Sequence, residues 1–355
     1  MRTFGKWLGR ILLALVVAIV VIGLWKREQI TRLLAVNSLF SQEKIVQNFS
    51  HMDAAFLSVP LPRGDGPISE LAYGPEADLP AAVEDWIVDR TVTALVVLKN
   101  GEIVYENYFQ GTRADDRRIS WSMATSYLSV LVGILIEDGK ITSLDDPVTK
   151  YAPLLKGGAY DGASLRNVLQ MASGVSFDED YLDFNSDINR MGRVLALGGK
   201  MDDFAAGLTA RFAEPGQQWQ YVSIDTHVVG MVVRGATGRS ITDLLSEMII
   251  VPLGLENTPY YLTDGVGTAF VLGGLNMTTP SAPTSPGETG YGLQWWIPIG
   301  AAPGEYMARG IYGQYIYIDT ARGVVIATNA ADRNFRDPGV SQQNEDIFRL
   351  IASSL

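Results

Sequence analysis

Residues 119–139, ISWSMATSYLSVLVGILIEDG, decide how this chain folds. Trp121, Leu128, Leu131, Val132 and Leu135 recur at helical spacing, and Asp138 and Gly139 supply a stop, so the stretch reads as one buried helix. Ser122 stands at its start. A serine there has an exposed hydroxyl, the positive end of the helix dipole and free backbone N–H groups able to stabilise an oxyanion; it can equally be a plain N-cap. Upstream, TALVVLKNGEIVYENYF (93–109) holds two strand-like segments joined at Asn100 and Gly101, the pair that best tolerates the positive φ of a type I′ turn. Downstream come short helices and loops through 145–215, then helical patterns over 223–238 and 242–252. Strands are expected at 291–297, 314–319 and 324–328, the last two joined by Thr-Ala-Arg-Gly, and a helix at 343–354. Strands at both ends with helices between them predict an α/β chain of the α+β kind: one antiparallel sheet built from N- and C-terminal strands, flanked by helices, with an inserted helical lobe and a cleft between the lobes.

The 355 residues are 47% hydrophobic and include no cysteine, so a large core forms without covalent staples. Lacking cysteine, the chain has no disulfide, thiolate nucleophile, iron–sulfur ligand or cysteine zinc site. His51 and His227, the only histidines, stand far apart. No cofactor and no metal is expected, although a carboxylate-only Mg²⁺ or Ca²⁺ site stays open. The net charge is −11, yet Arg2, Lys6, Arg10, Lys26 and Arg27 lie in the first 27 residues without an acid among them. The remainder is more acidic still and repels phosphate backbones, which argues against nucleic acid as a partner.

Residues 11–25 are unbroken apolar, and extension back to Phe4 gives about 20 residues, enough to cross a bilayer. A cleaved signal peptide is the competing reading, but no small-x-small site follows Gly23 before Lys26. The expectation is a membrane partner through a single-pass N-terminal helix in the inner membrane, with the acidic bulk on the periplasmic, extracytoplasmic side. The chain then divides into an anchor (1–27), a stalk and extended linker (28–82) and a domain (83–355). Ser41 and Lys44 have Ser-x-x-Lys spacing within the stalk by chance.

Six blocks in order carry a resemblance: ISWSMATS (119–126), LVGILIEDGKITSLDDPVTKYAPLL (131–155), LRNVLQMASGVSFDEDY (165–181), PGQQWQYVSIDTHVVGMVV (215–233), VPLGLENTPYYLTDG (251–265) and ARGIYGQYIYID (308–319). From about His51 to its C-terminus the chain resembles the serine beta-lactamase and penicillin-binding-protein superfamily, in the class-C-like branch of esterases and 6-aminohexanoate-dimer hydrolases. The resemblance implies a beta-lactamase/transpeptidase-like fold with Ser122 as nucleophile. The family places a lysine base one helical turn later. Here that position is Thr125, whose hydroxyl cannot act as a base near neutral pH.

The family's second motif, Tyr-x-Asn or Tyr-x-Ser, matches Tyr221-Val-Ser223 and implies a phenol beside the nucleophile that relays a proton. Its third, a Lys/His-Thr-Gly strand edge, falls on 309–314 without those letters; there Ile311 is the candidate backbone oxyanion donor beside the Ser122 N–H, and Gly310 and Gln314 flank it. Gly310 and Gly313 equally suit a strand bulge. Thr125, Tyr181, Ser223, Gly310 and Gln314 are the expected substrate contacts, whereas Asp178, Glu179 and Asp180 read as a solvated acidic loop. His227 reads as structural, with no Asp fixed beside it. Lys156, Lys200 and Arg309 are the cations that a rescue of the missing amine would draw on. The 277–290 stretch is shorter than in relatives and too rich in Pro, Ser and Thr for a helix. The resemblance thus implies a membrane-anchored serine hydrolase that opens amide or ester bonds of a small-molecule or peptide-like substrate through a Ser122 acyl-enzyme, impaired by Thr125. The alternative is a catalytically silent descendant that binds a peptide or cell-wall fragment in the same cleft.

Overall fold

The structure, a computed structural model, describes residues 2–181, 183–269 and 290–355. Its strands in chain order are β1 (Leu57–Pro60), β2 (Val92–Lys99), β3 (Glu102–Tyr108), β4 (Tyr260–Thr263), β5 (Gly290–Gly292), β6 (Trp295–Ile297), β7 (Glu305–Gly310), β8 (Gln314–Asp319) and β9 (Val324–Ala330). β1 pairs with β4, and the rest form an antiparallel sheet in the order β3-β2-β9-β8-β7-β6-β5. Register Leu95↔Thr328 between β2 and β9 joins the two ends of the chain. The β2–β3 hairpin reverses at Asn100 (φ 51°) and Gly101 (φ 86°), as the sequence predicts.

Two expectations are corrected. The strand predicted over 291–297 is a hairpin, β5 and β6, turning at Leu293 (φ 49°) and Gln294 (φ 71°). Buried Gln294 sustains that strained turn: its Nε2 donates to Leu169 O (3.1 Å), its Oε1 accepts from Thr226 (3.1 Å), and its carbonyl accepts from Ser126 Oγ (2.7 Å). The 242–252 helix is also interrupted. Ile241–Leu245 gives way to a π-helical run, Ser246–Ile250, before Val251–Leu253 ends at Gly254 (φ 60°). The shortened 277–290 stretch lies outside the described residues except for its last residue.

One face of the sheet is covered by the helices Ala82–Asp89 and Val340–Ser354, whose Trp86 and Phe348 meet edge to face at 5.8 Å. Trp86 Nε1 is satisfied by Asn344 Oδ1 at 2.7 Å, as a buried indole requires. Over the other face lies the helix Met123–Glu137, where Met123 packs with Ala308 of β7. Its far side buries Leu128, Leu131, Val132 and Leu135 among the helices of the inserted lobe, Ser223–Thr237 foremost. This helix is the wall the two lobes share, and its N-terminus opens beside the end of β7.

At the N-terminus the helix Arg2–Trp25 contains residues 6–25, long and apolar enough to cross a membrane, a property common to anchors and signal sequences. The stretch read as a stalk does not stand clear of the body. From Leu39 on it packs inward, with Leu39, Ile45, Phe49 and Met52 buried against Leu262 and Ala331. Ser41 and Lys44 sit in the turn before that contact, where Lys44 N donates to Ser41 O.

Candidate active site

Ser122 is the N-cap residue of Met123–Glu137, but its hydroxyl makes no capping bond. The plain N-cap reading therefore fails. Trp121 precedes it at φ 46°, an outlier for a bulky residue, which turns the chain sharply and lifts Ser122 out of it. Trp121 is held by its ring, packed on Phe49 (5.6 Å) and Phe40 (5.9 Å).

The end of β7 runs against this turn. A Cβ on Gly310 would fall 2.5 Å from Ser120 O and 3.1 Å from Ser122 N, so only glycine allows the approach. Ile311 is the next residue. Neither its N–H nor that of Ser122 has an acceptor among the described residues, which leaves two free donors flanking the serine as an oxyanion pocket needs. Gln314 sits behind this strand end rather than in the cleft. It is fully buried, its Nε2 donates to Ala330 O (2.7 Å) and Tyr312 O (3.1 Å), and its Oε1 accepts from Asn329 (3.0 Å). Its side chain holds the 311–313 turn instead of touching a ligand.

Tyr221 comes to Ser122 from the other lobe. Its hydroxyl is buried without a hydrogen bond of standard geometry among the described residues. Burial raises its pKa, an effect that hydrogen bonding from Ser122 opposes and the charge of Glu179 reinforces. The phenol is thus fixed as a donor, not a base. Its ring stacks on Trp296 (5.9 Å, 22°), and Arg309 lies over the same indole at 5.2 Å. Arg309 donates to Ser341 Oγ (2.5 Å) and is a permanent cation near Tyr221.

Thr125, where relatives place the lysine, is buried, and its hydroxyl neighbours that of Tyr291. No amine takes its place: Lys156 follows the 3-10 turn Pro153–Leu155, Lys200 precedes the helix Met201–Ala206, and neither bonds to a site residue among those described.

Glu179 corrects the reading of 178–180 as a solvated loop. Asp178 and Asp180 are exposed, but Glu179 turns inward. One of its oxygens accepts from Ser223 N (2.6 Å) and the other from Ser223 Oγ (3.0 Å), capping the helix that follows Tyr221. Burial pushes its pKa up to about 7 against those bonds and against Tyr181 and Arg336. Tyr181 also faces Ser223, and Arg336 lies 4.5 Å from its ring centroid. The signal was available in the sequence: Val175, Phe177 and Tyr181 keep a period of two that carries Glu179 inward.

His227 has an acid beside it, contrary to expectation. Its Nε2 meets Asp202 Oδ1 at 2.7 Å, and Arg234 holds both oxygens of that carboxylate. Burial works to raise the Asp202 carboxyl, but the bonds from His227 and Arg234 outweigh it and hold it below the usual range. The pair ties the helix Ser223–Thr237 to Met201–Ala206, with no hydrogen bond to Ser122, so the structural role stands and a Ser-His-Asp triad does not form.

Beneath the site, Asp225 is fully buried, with one oxygen accepting from Tyr160 OH at 2.6 Å. Burial pushes its pKa up to about 8 from an ordinary 3.8. The folded state then binds a proton that the unfolded chain releases near pH 4, so this group lowers stability progressively between about pH 4 and pH 8. Asp225→Asn keeps the shape without the ionisation. Its unfolding free energy is expected to exceed that of the wild type by more at pH 9 than at pH 5, by an increment on the order of a few kcal/mol, with the melting temperature rising accordingly. A pH-independent difference in calorimetry would refute this.

The Beta-lactamase family profile matches residues 82–267, more than half of the chain. The chain is 28% identical over 295 residues to the 6-aminohexanoate-dimer hydrolase of Paenarthrobacter ureafaciens, covering 70% of this chain and 74% of that one. Among solved structures it is similar to "Putative 6-aminohexanoate-dimer hydrolase from Bacillus anthracis", with a TM-score of 0.75 at 20% identity over 88% of this chain and 95% of that one. It is also similar to EstCE1, titled a hydrolase with promiscuous acyltransferase activity, with a TM-score of 0.53 at 15% identity over 75% of this chain and 96% of that one.

Proposed function

Because the chain belongs to the beta-lactamase family, we propose that it is a serine hydrolase that forms an acyl-enzyme at Ser122 and acts on small esters in preference to amides. The observation that carries this reading is the packing of Gly310 against the Ser122 turn, which leaves the Ser122 and Ile311 N–H groups free on either side of an uncapped hydroxyl. Ser122 Oγ attacks the carbonyl, the two N–H groups take the oxyanion, and Tyr221 donates a hydrogen bond to the departing oxygen. The serine proton passes to water, since neither Thr125 nor protonated Tyr221 accepts it. An activated alcohol or phenol leaves as its anion under these conditions. An amine must be protonated first, and the single phenol has no base to recharge it.

The Ser122 hydroxyl is expected to take up a fluorophosphonate probe slowly in the full chain, and Ser122→Ala to take up none; equal labelling of the two places the reaction elsewhere. A second reading, a silent binder of a peptide or cell-wall fragment, is favoured by Thr125 and predicts no labelling of the wild type. We place the domain outside the cytoplasm on a retained N-terminal helix, a reading supported by the apolar length of residues 6–25.

A further inference from the structure

Behind the Ser122 turn lies a cavity of about 330 Å³. Ser120, Trp121, Ala124 and Tyr127 line it, whereas Ser122 and Thr125 do not, so it occupies a different side of the nucleophile helix from the catalytic cleft. The opposite wall is Leu245, Ile249, Ile250 and Leu253. That wall is shaped by the π-helical run Ser246–Ile250, a widened turn of the kind that recurs at functional sites.

Two arginines stand at this apolar space. Arg117 is exposed, lies over the Tyr260 ring (5.1 Å) and reaches Thr258 O at 3.5 Å. Arg118 gives Nη1 to Val46 O (3.0 Å) and Ser50 Oγ (2.9 Å), while its Nε and Nη2 are buried without an acceptor. Burial lowers its pKa to about 10, with Asp116 opposing. Among the described residues neither arginine forms an ion pair.

We propose that this cavity binds a medium-chain fatty carboxylate, its tail between Tyr127 and the Ile249–Ile250 wall and its carboxylate at Arg117. The volume suits a small apolar ligand: about 330 Å³ falls at the lower end of the range of about 300–1,000 Å³ typical of small-molecule pockets. The charge suits the head, because an anion there meets Arg117 without displacing an internal carboxylate. An uncharged chain of the same length fills the space but makes no charge-assisted hydrogen bond to Arg117. The site makes no use of turnover at Ser122, so it stands whether or not the serine reacts.

The test uses the full chain in phosphatidylcholine nanodiscs with a diazirine-bearing dodecanoic acid as the probe, the crosslinked peptides being mapped by mass spectrometry. Labelling is expected to saturate on peptides spanning 117–127 and 245–262. Dodecanoate is expected to compete on the order of a hundredfold better than octanoate, at about fourfold per methylene, and at least about tenfold better than dodecanol. Arg117→Glu, at an exposed position, and Leu253→Trp, at the half-exposed rim, are each expected to reduce labelling by at least about tenfold with the melting temperature unchanged. Label confined to residues 6–25, or indifferent to both substitutions, overturns the site. Label centred on peptides of Tyr221 and Ile311 overturns its separation from the catalytic cleft, and equal competition by dodecanol overturns the role of the charge.

Discussion

Replacing Thr125 with lysine is expected to raise fluorophosphonate labelling of Ser122 and p-nitrophenyl ester turnover by about 10²–10⁴-fold, the range a positioned general base contributes. The substitution puts an amine one helical turn from Ser122, on the same face of Met123–Glu137. Everything else such a base needs is in place: an uncapped hydroxyl, a neighbouring phenol held as a donor, and two free N–H groups for the oxyanion. Burial beside Tyr291 disfavours the charged form of the new amine and so moves it toward the neutral form a base needs. Comparison with Ser122→Ala and with the double variant Ser122→Ala/Thr125→Lys makes the outcome decisive. A gain that disappears without Ser122 shows a site complete but for its base. A wild type already as fast as Thr125→Lys shows that another group activates the serine, with Glu179 the first to replace by glutamine. Silence in all the variants shows that the cleft does not assemble, and the hydrolase reading falls with it.

What was legible in the sequence follows local rules. The Asn100–Gly101 turn, the start and stop of the helix behind Ser122 and the β8–β9 hairpin each depend on a few adjacent residues, and each forms as read. Features requiring contact between distant residues were not legible. The β5–β6 turn rests on Gln294 finding partners at Leu169 and Thr226, and the strand β7 begins at Glu305, a buried carboxylate that accepts from Tyr317 (2.9 Å) and Arg349 (2.5 Å). A glutamine or a glutamate taken alone reads as surface. Ser122 and Tyr221 were reachable by motif, Arg309 only as a spare cation in the third motif's block, Glu179 only through the alternation of its neighbours, and Trp296 only through the ring it brings to Tyr221. Gln314 had the right address in the motif and the wrong side of the strand. The cavity behind Trp121 has no motif, because its walls come from segments about 130 residues apart that meet only in the folded chain.

Gly310→Ala separates the oxyanion donors from the base and has the second-largest expected effect. The added methyl would sit 2.5 Å from Ser120 O and 3.1 Å from Ser122 N, contacts that the backbone can relieve only by moving the Ser122 turn away from β7. Overpacking of this kind costs about 1–3 kcal/mol of stability, and loss of a single oxyanion donor costs about 10²–10³-fold in rate. Since the wild type is expected to react slowly, the measurement belongs on the Thr125→Lys background, where Gly310→Ala is expected to remove most of the gain while Ser122 stays present. Gly133→Ala is the control. It lies in the interior of the same helix with open space around its added Cβ and is expected to stabilise the fold by about 0.5–1 kcal/mol, with labelling unchanged. If Gly310→Ala labels as fast as its parent, the free N–H groups beside Ser122 do not act on the carbonyl. The reaction would then rest on the hydroxyl and Tyr221 alone, and a donor of equal strength would have to be sought on the other side of the cleft, where Ser223 and Tyr181 face Glu179.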